Sequence, residues 1–168
     1  SGSGRSRVGR VPTLPSVKRP SLPIRKFRRE DPPLVAIGVS TGGPNALAEL
    51  LPIFPATFPS AIVITQHMPP VFTKQLANRL DQKSQLTVHE AVDGMEVKPG
   101  NVYIAPGDFH MEITKLPATR TGKIRLQQGP PECSCRPSVD VMFRSIANSY
   151  GANTIGVILT GMGQDGFQ

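Results

Sequence analysis

The sequence predicts an α/β fold: a mostly parallel, doubly wound sheet in three α/β/α layers, with an antiparallel β-hairpin excursion. Three features predict it. Short apolar runs suit strands buried on both faces. Helical periodicity follows the first two runs, and that βαβα order closes into a parallel sheet through right-handed crossovers. A middle section then breaks the alternation with closely spaced turn dipeptides.

The elements follow in chain order. Leu34-Val35-Ala36-Ile37-Gly38 is an apolar run ending in glycine and reads as the first buried strand. Thr41-Gly42-Gly43-Pro44 opens a helical stretch, Asn45 to Leu51, with Leu47, Leu50 and Leu51 on one face. Ala61-Ile62-Val63-Ile64-Thr65 is the second buried strand. Pro70 starts a second helical stretch, where Phe72, Leu76 and Leu80 recur at four-residue steps. Leu86–Glu90, Asn101–Ala105, His110–Leu116 and Lys123–Gln127 are short strand-like runs. Asp93-Gly94, Pro99-Gly100, Pro106-Gly107 and Thr121-Gly122 separate them, and this turn chemistry predicts antiparallel pairing. Helical periodicity returns over Ser138–Tyr150, with Val139, Met142, Phe143 and Ile146 inward. Thr154–Leu159 reads as a third buried strand.

Composition divides the chain in two. Nine of its 19 Lys and Arg lie in residues 1–30 with a single acid, Glu30, although the net charge of the whole is +7. The remainder is therefore close to neutral. Residues 1–30 also hold Pro12, Pro15, Pro20 and Pro23. Such a segment buries too little apolar area to offset the entropy of ordering, so a flexible basic linker is expected, then one domain over 31–168. The linker lacks the repeated aromatics that stack on bases, so nucleic acid is not expected as a partner. No apolar run approaches the roughly 20 residues of a membrane span, and no apolar stretch follows the basic N-terminus as in a signal peptide. Cys133 and Cys135 are the only cysteines. Their spacing argues against a structural zinc site or a disulfide framework and reads as reduced thiols in a cytoplasmic protein.

Gly38-Val39-Ser40-Thr41-Gly42 matches G-x-S-x-G in the context that gives the pattern meaning, a strand before and a helix after. On such a turn a serine hydroxyl is presented at the sheet edge, and the helix N-terminus supplies N–H groups for a developing oxyanion. An anion-cradling loop is the competing reading, but no lysine follows the glycines and the spacing is not G-x-G-x-x-G. Where a dinucleotide fold places an acid after the second strand, this sequence has Gln66-His67. Parallel strands end on one edge, so His67 is within reach of Ser40 and has the chemistry to take its proton. His89 and His110 lie in the turn-rich middle and are weaker candidates. A carboxylate is then needed to orient the imidazole. Asp93 is explained by its turn and Asp140 by a helix start, which leaves Asp165, in the loop after the third strand, with Asp108 next. The order Ser-His-Asp differs from that of α/β-hydrolases.

Five blocks carry a resemblance. They are Ile37–Gly43, Ile64–Pro70, Tyr103–Asp108, Arg136–Asp140 and Gly156–Gly166. In these the chain resembles the catalytic domain of chemotaxis protein-glutamate methylesterases. The resemblance implies a Ser40–His67–Asp165 triad, oxyanion stabilisation by the backbone N–H groups of Thr41 and Met162, and no metal or cofactor. It implies hydrolysis of glutamate γ-methyl esters on methyl-accepting chemoreceptors, with release of methanol, and deamidation of receptor glutamines as a second activity. Cytoplasmic receptor domains are the implied partners. Arg136-Pro137-Ser138 and the Asp108 loop are implied to support the rim, with Ser138 and Asp140 as helix-start residues. Two departures stand out. The family's N-terminal receiver domain is absent, and the family fold continues past Asp165, so a C-terminally incomplete sheet with a weakly held Asp165 and impaired activity is expected.

Overall fold

The structure, a computed structural model, describes residues 32–115, 121–160 and 163–166. The expected linker over residues 1–30 lies outside the described residues. Strands β1 (Leu34–Val39), β2 (Ile62–Gln66), β3 (Thr87–Glu90), β5 (Asn101–Ile104) and β8 (Thr154–Thr160) form a parallel sheet in the order β3-β5-β2-β1-β8. Strands β4 (Glu96–Val97), β6 (His110–Lys115) and β7 (Gly122–Gln127) form a separate antiparallel sheet in the order β4-β7-β6.

Period-two alternation along β1 sorts its side chains into two cores. Val35, Ile37 and Val39 pack with Leu47 of helix α1 (Gly43–Leu50) and with Leu76 and Leu80 of helix α2 (Phe72–Asp81). Leu34 and Ala36 face the other way, with Met142 and Ile146 of helix α3 (Val139–Tyr150) and with Met111, Ile113 and Ile124 of the antiparallel sheet. The predicted three layers are present: α1 and α2, the parallel sheet, then α3 beside the small sheet. Ile37, Ile62 and Ile64 are at most 2 % exposed, and burying each such side chain contributes about 1.5–3 kcal/mol.

Three expectations change. The runs at Leu86–Glu90 and Asn101–Ala105 are parallel partners, β3 and β5, rather than a hairpin. The chain crosses to the small sheet as β4 between them, and a turn dipeptide reports a local reversal without reporting which strand pairs next. β8 is not buried: it borders only β1 among the described residues, with Ile155, Ile158 and Leu159 exposed. Its apolar composition is that of an interior strand, and among the described residues it stands at the end of the sheet, as the incomplete sheet expected from the sequence would have it. Phe72, at the start of α2, projects outward at 55 % exposure although its periodicity matches Leu76 and Leu80.

Candidate active site

Sheet register brings three distant segments to one rim. Val39 pairs with Gln66 on one side and with Thr160 on the other. The next residues, Ser40 and His67, and the loop that carries Asp165 therefore leave the sheet at the same level. Backbone bonds fix the exits: the Ser40 N–H donates to the Thr160 carbonyl at 2.9 Å and the His67 N–H to that of Val39 at 3.1 Å. The Gln66 side chain spans both, donating from Nε2 to the carbonyls of Ser40 (3.0 Å) and His67 (3.2 Å).

Beyond Ser40 the chain turns at Gly42, whose φ of +79° is the left-handed region that glycine occupies without steric cost. The Gly43 N–H closes the turn onto the Ser40 carbonyl at 2.9 Å, and α1 begins there. Thr41 is exposed, and its N–H meets no acceptor among the described residues. Gly38 serves packing instead. A Cβ there would lie 2.6 Å from Val139 Cγ1 and 2.8 Å from Ile158 Cδ1, so the glycine lets the start of α3 close against β1.

That helix start holds Asp165. One carboxylate oxygen of Asp165 accepts from the Val139 N–H (2.6 Å) and faces His67 Nε2 at 2.7 Å. The other accepts from the Ser138 hydroxyl (2.7 Å) and the Asp140 N–H (2.8 Å). Burial raises the pKa of Asp165, but His67, the two helix N–H groups and Ser138 outweigh it and bring the group from 3.8 to about 2. An ionised carboxylate only accepts. His67 Nε2 therefore carries the proton, and the basic lone pair is on Nδ1. The Asp165 side chain is 3 % exposed and is held by Ser138 and the first N–H groups of α3.

His67 lines a cleft together with Ser40, Cys133, Cys135, Thr160 and Asp165 among others. Cys135 Sγ lies 3.8 Å from Nδ1, and burial, followed by the Asp165 charge, raises the pKa of that thiol. The Ser40 hydroxyl makes no hydrogen bond among the described residues. Ser40 and His67 thus share a cavity without a closed contact, a state common in unliganded sites that tighten around substrate.

The remaining candidates are accounted for. Asp108 does not reach His67: its Oδ1 accepts from Arg136 Nε at 3.0 Å and its Oδ2 from Gln128 at 3.1 Å, which ties down the 128–136 segment. Buried His110 donates to the Pro130 carbonyl (2.9 Å) and accepts from the Ser138 N–H (3.2 Å), so it supports the α3 start. His89 bonds Asn101 and stacks on Tyr103. Asp93 lies in the turn before β4 and accepts from the Leu126 N–H of β7, 33 residues away in sequence. Ser138 is the α3 N-cap and Asp140 lies in the first turn, as expected. Met162 lies outside the described residues. Sequence reasoning gave no role to Gln66 or to the two thiols. The signal for the thiols was their place just before Arg136-Pro137-Ser138, where the α3 start must meet the rim.

Comparison with known proteins gives the relationship. The family described as CheB methylesterase matches residues 35–168. A protein-glutamate methylesterase/protein-glutamine glutaminase of Trichodesmium erythraeum is 56 % identical over 136 residues, covering 79 % of this chain and 37 % of that protein. One from Chromohalobacter salexigens is 48 % identical over 164 residues, 98 % of this chain and 45 % of its own length. The chain thus spans less than half the length of these curated relatives. The crystal structure of the Thermotoga maritima CheB methylesterase catalytic domain superposes with a TM-score of 0.77 at 50 % identity, covering 81 % of this chain and 71 % of that one. The chain belongs to the CheB methylesterase family.

Proposed function

We propose that the domain over residues 31–168 is a serine hydrolase that removes methyl groups from glutamate γ-methyl esters on the cytoplasmic domains of methyl-accepting chemoreceptors, and that it works in the cytoplasm. Ser40 is the nucleophile, His67 the general base and Asp165 the orienting carboxylate. The observation that carries this reading is the placement of Asp165, which bonds His67 Nε2 at 2.7 Å and so leaves Nδ1 basic on a ring that lines the cleft with Ser40.

Ser40 Oγ attacks the ester carbonyl as its proton passes to His67 Nδ1. The resulting oxyanion is stabilised by N–H groups at the start of α1, Thr41 first, with Met162 as the second donor. Protonated His67, paired with Asp165, returns the proton to the departing methoxide and methanol leaves. Water then attacks the acyl-enzyme by the same route and frees the glutamate carboxylate. A glutamine amide follows the same path with ammonia leaving, which gives deamidation as the second activity. The route uses no metal or cofactor. In the full-length protein a receiver domain is the regulatory partner, joined through the basic segment of residues 1–30.

Fluorophosphonate labelling tests the assignment. Wild type is expected to be labelled at Ser40, Ser40→Ala not at all, and His67→Ala far more slowly. Labelling that persists in Ser40→Ala would remove the nucleophile. Absence of labelling in wild type would leave a helix N-terminus that merely binds anions.

A further inference from the structure

We propose that Gln66 is a positioning residue that sets the oxyanion donor and the base together, by holding the Ser40–Thr41 peptide and the His67 carbonyl with one side-chain amide. The hydrogen-bonding half stands on geometry alone; the consequence for the reaction rests on the roles proposed above for Thr41 and His67.

Gln66 ends β2 in register with Val39 and is 2 % exposed. Its amide nitrogen carries two protons. Both are used, one toward the Ser40 carbonyl at 3.0 Å and one toward the His67 carbonyl at 3.2 Å. The other end of the amide, Oε1, is buried with no hydrogen-bond partner among the described residues. An unpaired buried acceptor is costly. Turning the amide over gives no relief, because Oε1 would then face two carbonyl oxygens and both bonds would be forfeited. The side chain is therefore held for its two donors. Gly43 makes the room, since a Cβ there would collide with Gln66 Oε1.

The Ser40 carbonyl matters because of what shares its peptide plane. The Ser40–Thr41 bond is trans, so the Thr41 N–H points away from that carbonyl across a rigid plane. Two donors grip the carbonyl end, Gln66 Nε2 and the Gly43 N–H at 2.9 Å. Gly43 belongs to the turn itself and moves with it. Gln66 belongs to β2 and ties the plane to the strand that delivers His67. The following peptide is braced from β8, where the Thr160 hydroxyl donates to the Thr41 carbonyl at 2.6 Å. A carbonyl that accepts two bonds polarises its peptide and strengthens the N–H at the opposite end. Oxyanion stabilisation needs such a donor fixed before charge develops.

The test compares the purified 168-residue wild type with Gln66→Met, whose unbranched side chain fills space without a donor. Fluorophosphonate inactivation of Ser40 is followed against reagent concentration. Loss of a whole oxyanion donor costs about 10²–10³ in rate, so misplacing one is expected to slow inactivation at saturation about 10–100-fold. The half-saturating concentration is expected to stay within about twofold of wild type, as when an interaction made only in the transition state is removed. Gly43→Ala, which keeps Gln66 but crowds its amide, is expected to slow inactivation in the same way. Backbone amide NMR relaxation reads the brace without any reagent. In Gln66→Met the Thr41 N–H order parameter is expected to fall from the rigid range, about 0.85, toward the flexible range below about 0.6. In wild type the Gln66 side-chain amide protons are expected to exchange slowly with solvent, a readout that needs no variant to fold. An equal saturating rate in Gln66→Met, an unchanged Thr41 order parameter, or fast exchange of the Gln66 amide would each overturn the proposal. A wild type never labelled, with a Thr41 N–H loosened in Gln66→Met, would sustain the brace and sink the hydrolase reading. Equal labelling of wild type and Gln66→Met at Ser40 would do the reverse.

Discussion

Asp165 concentrates the chemistry of the rim in one side chain. Its carboxylate meets His67, Ser138 and the first N–H groups of α3, and those contacts bring it from 3.8 to about 2. A pKa lowered on folding stabilises the fold above the unfolded value, and that contribution is lost as pH falls through the folded one. About 2 kcal/mol is therefore expected to be present above pH 4 and lost toward pH 2. Urea unfolding of wild type and Asp165→Asn across that window should show the difference between them shrinking as pH falls. The same substitution leaves His67 without its fixed tautomer, and methyl ester hydrolysis should drop about 10⁴-fold, as amide replacement of a triad carboxylate does in a serine protease. Asp108→Asn loosens the Arg136 contact instead and should leave the phosphonate labelling rate near that of wild type. Residue type and loop position alone left Asp165 and Asp108 in competition, because neither reports which carboxylate turns toward the imidazole.

Helix α3 is the element on which the site depends. It supplies the Ser138 hydroxyl and two backbone donors to Asp165, and it can lie against β1 only because residue 38 has no side chain. Gly38→Ala places a methyl 2.6 Å from Val139 Cγ1. Such overpacking costs about 1–3 kcal/mol, and here it pushes the helix start away from the rim. A lower urea midpoint together with slower hydrolysis is expected; an unchanged rate would mean that the Asp165 cradle tolerates a shifted helix. Helical periodicity made α1, α2 and α3 readable in advance, and Ser138 read correctly as a helix start. That the same hydroxyl also holds residue 165 was not readable, since no local pattern links positions 27 apart.

At the scale of the whole molecule the sheet is covered on both faces, and among the described residues β8 has β1 as its one neighbour. Ile155 is 50 % exposed and Ile158 40 %, beside a row of backbone groups facing outward. An apolar strand exposed in this way invites pairing with another copy. Sedimentation of the 168-residue chain should show concentration-dependent association, and Ile155→Lys should reduce it while changing stability by less than about 0.5 kcal/mol, as expected of a surface substitution. Equal association of the variant would place the contact elsewhere.

Much of this protein was already determined by local pattern. Buried strands announce themselves by composition, helices by period, and the Ser40 turn by its glycines, because each depends on neighbours in the chain. The family blocks extended that reading to the three residues of the rim. Only the tertiary structure decided which strands pair, which nitrogen of His67 faces Asp165, and that the Cys135 thiol stands beside the other. Those outcomes depend on contacts between segments far apart in sequence, where register and packing, rather than residue type, fix which atoms meet.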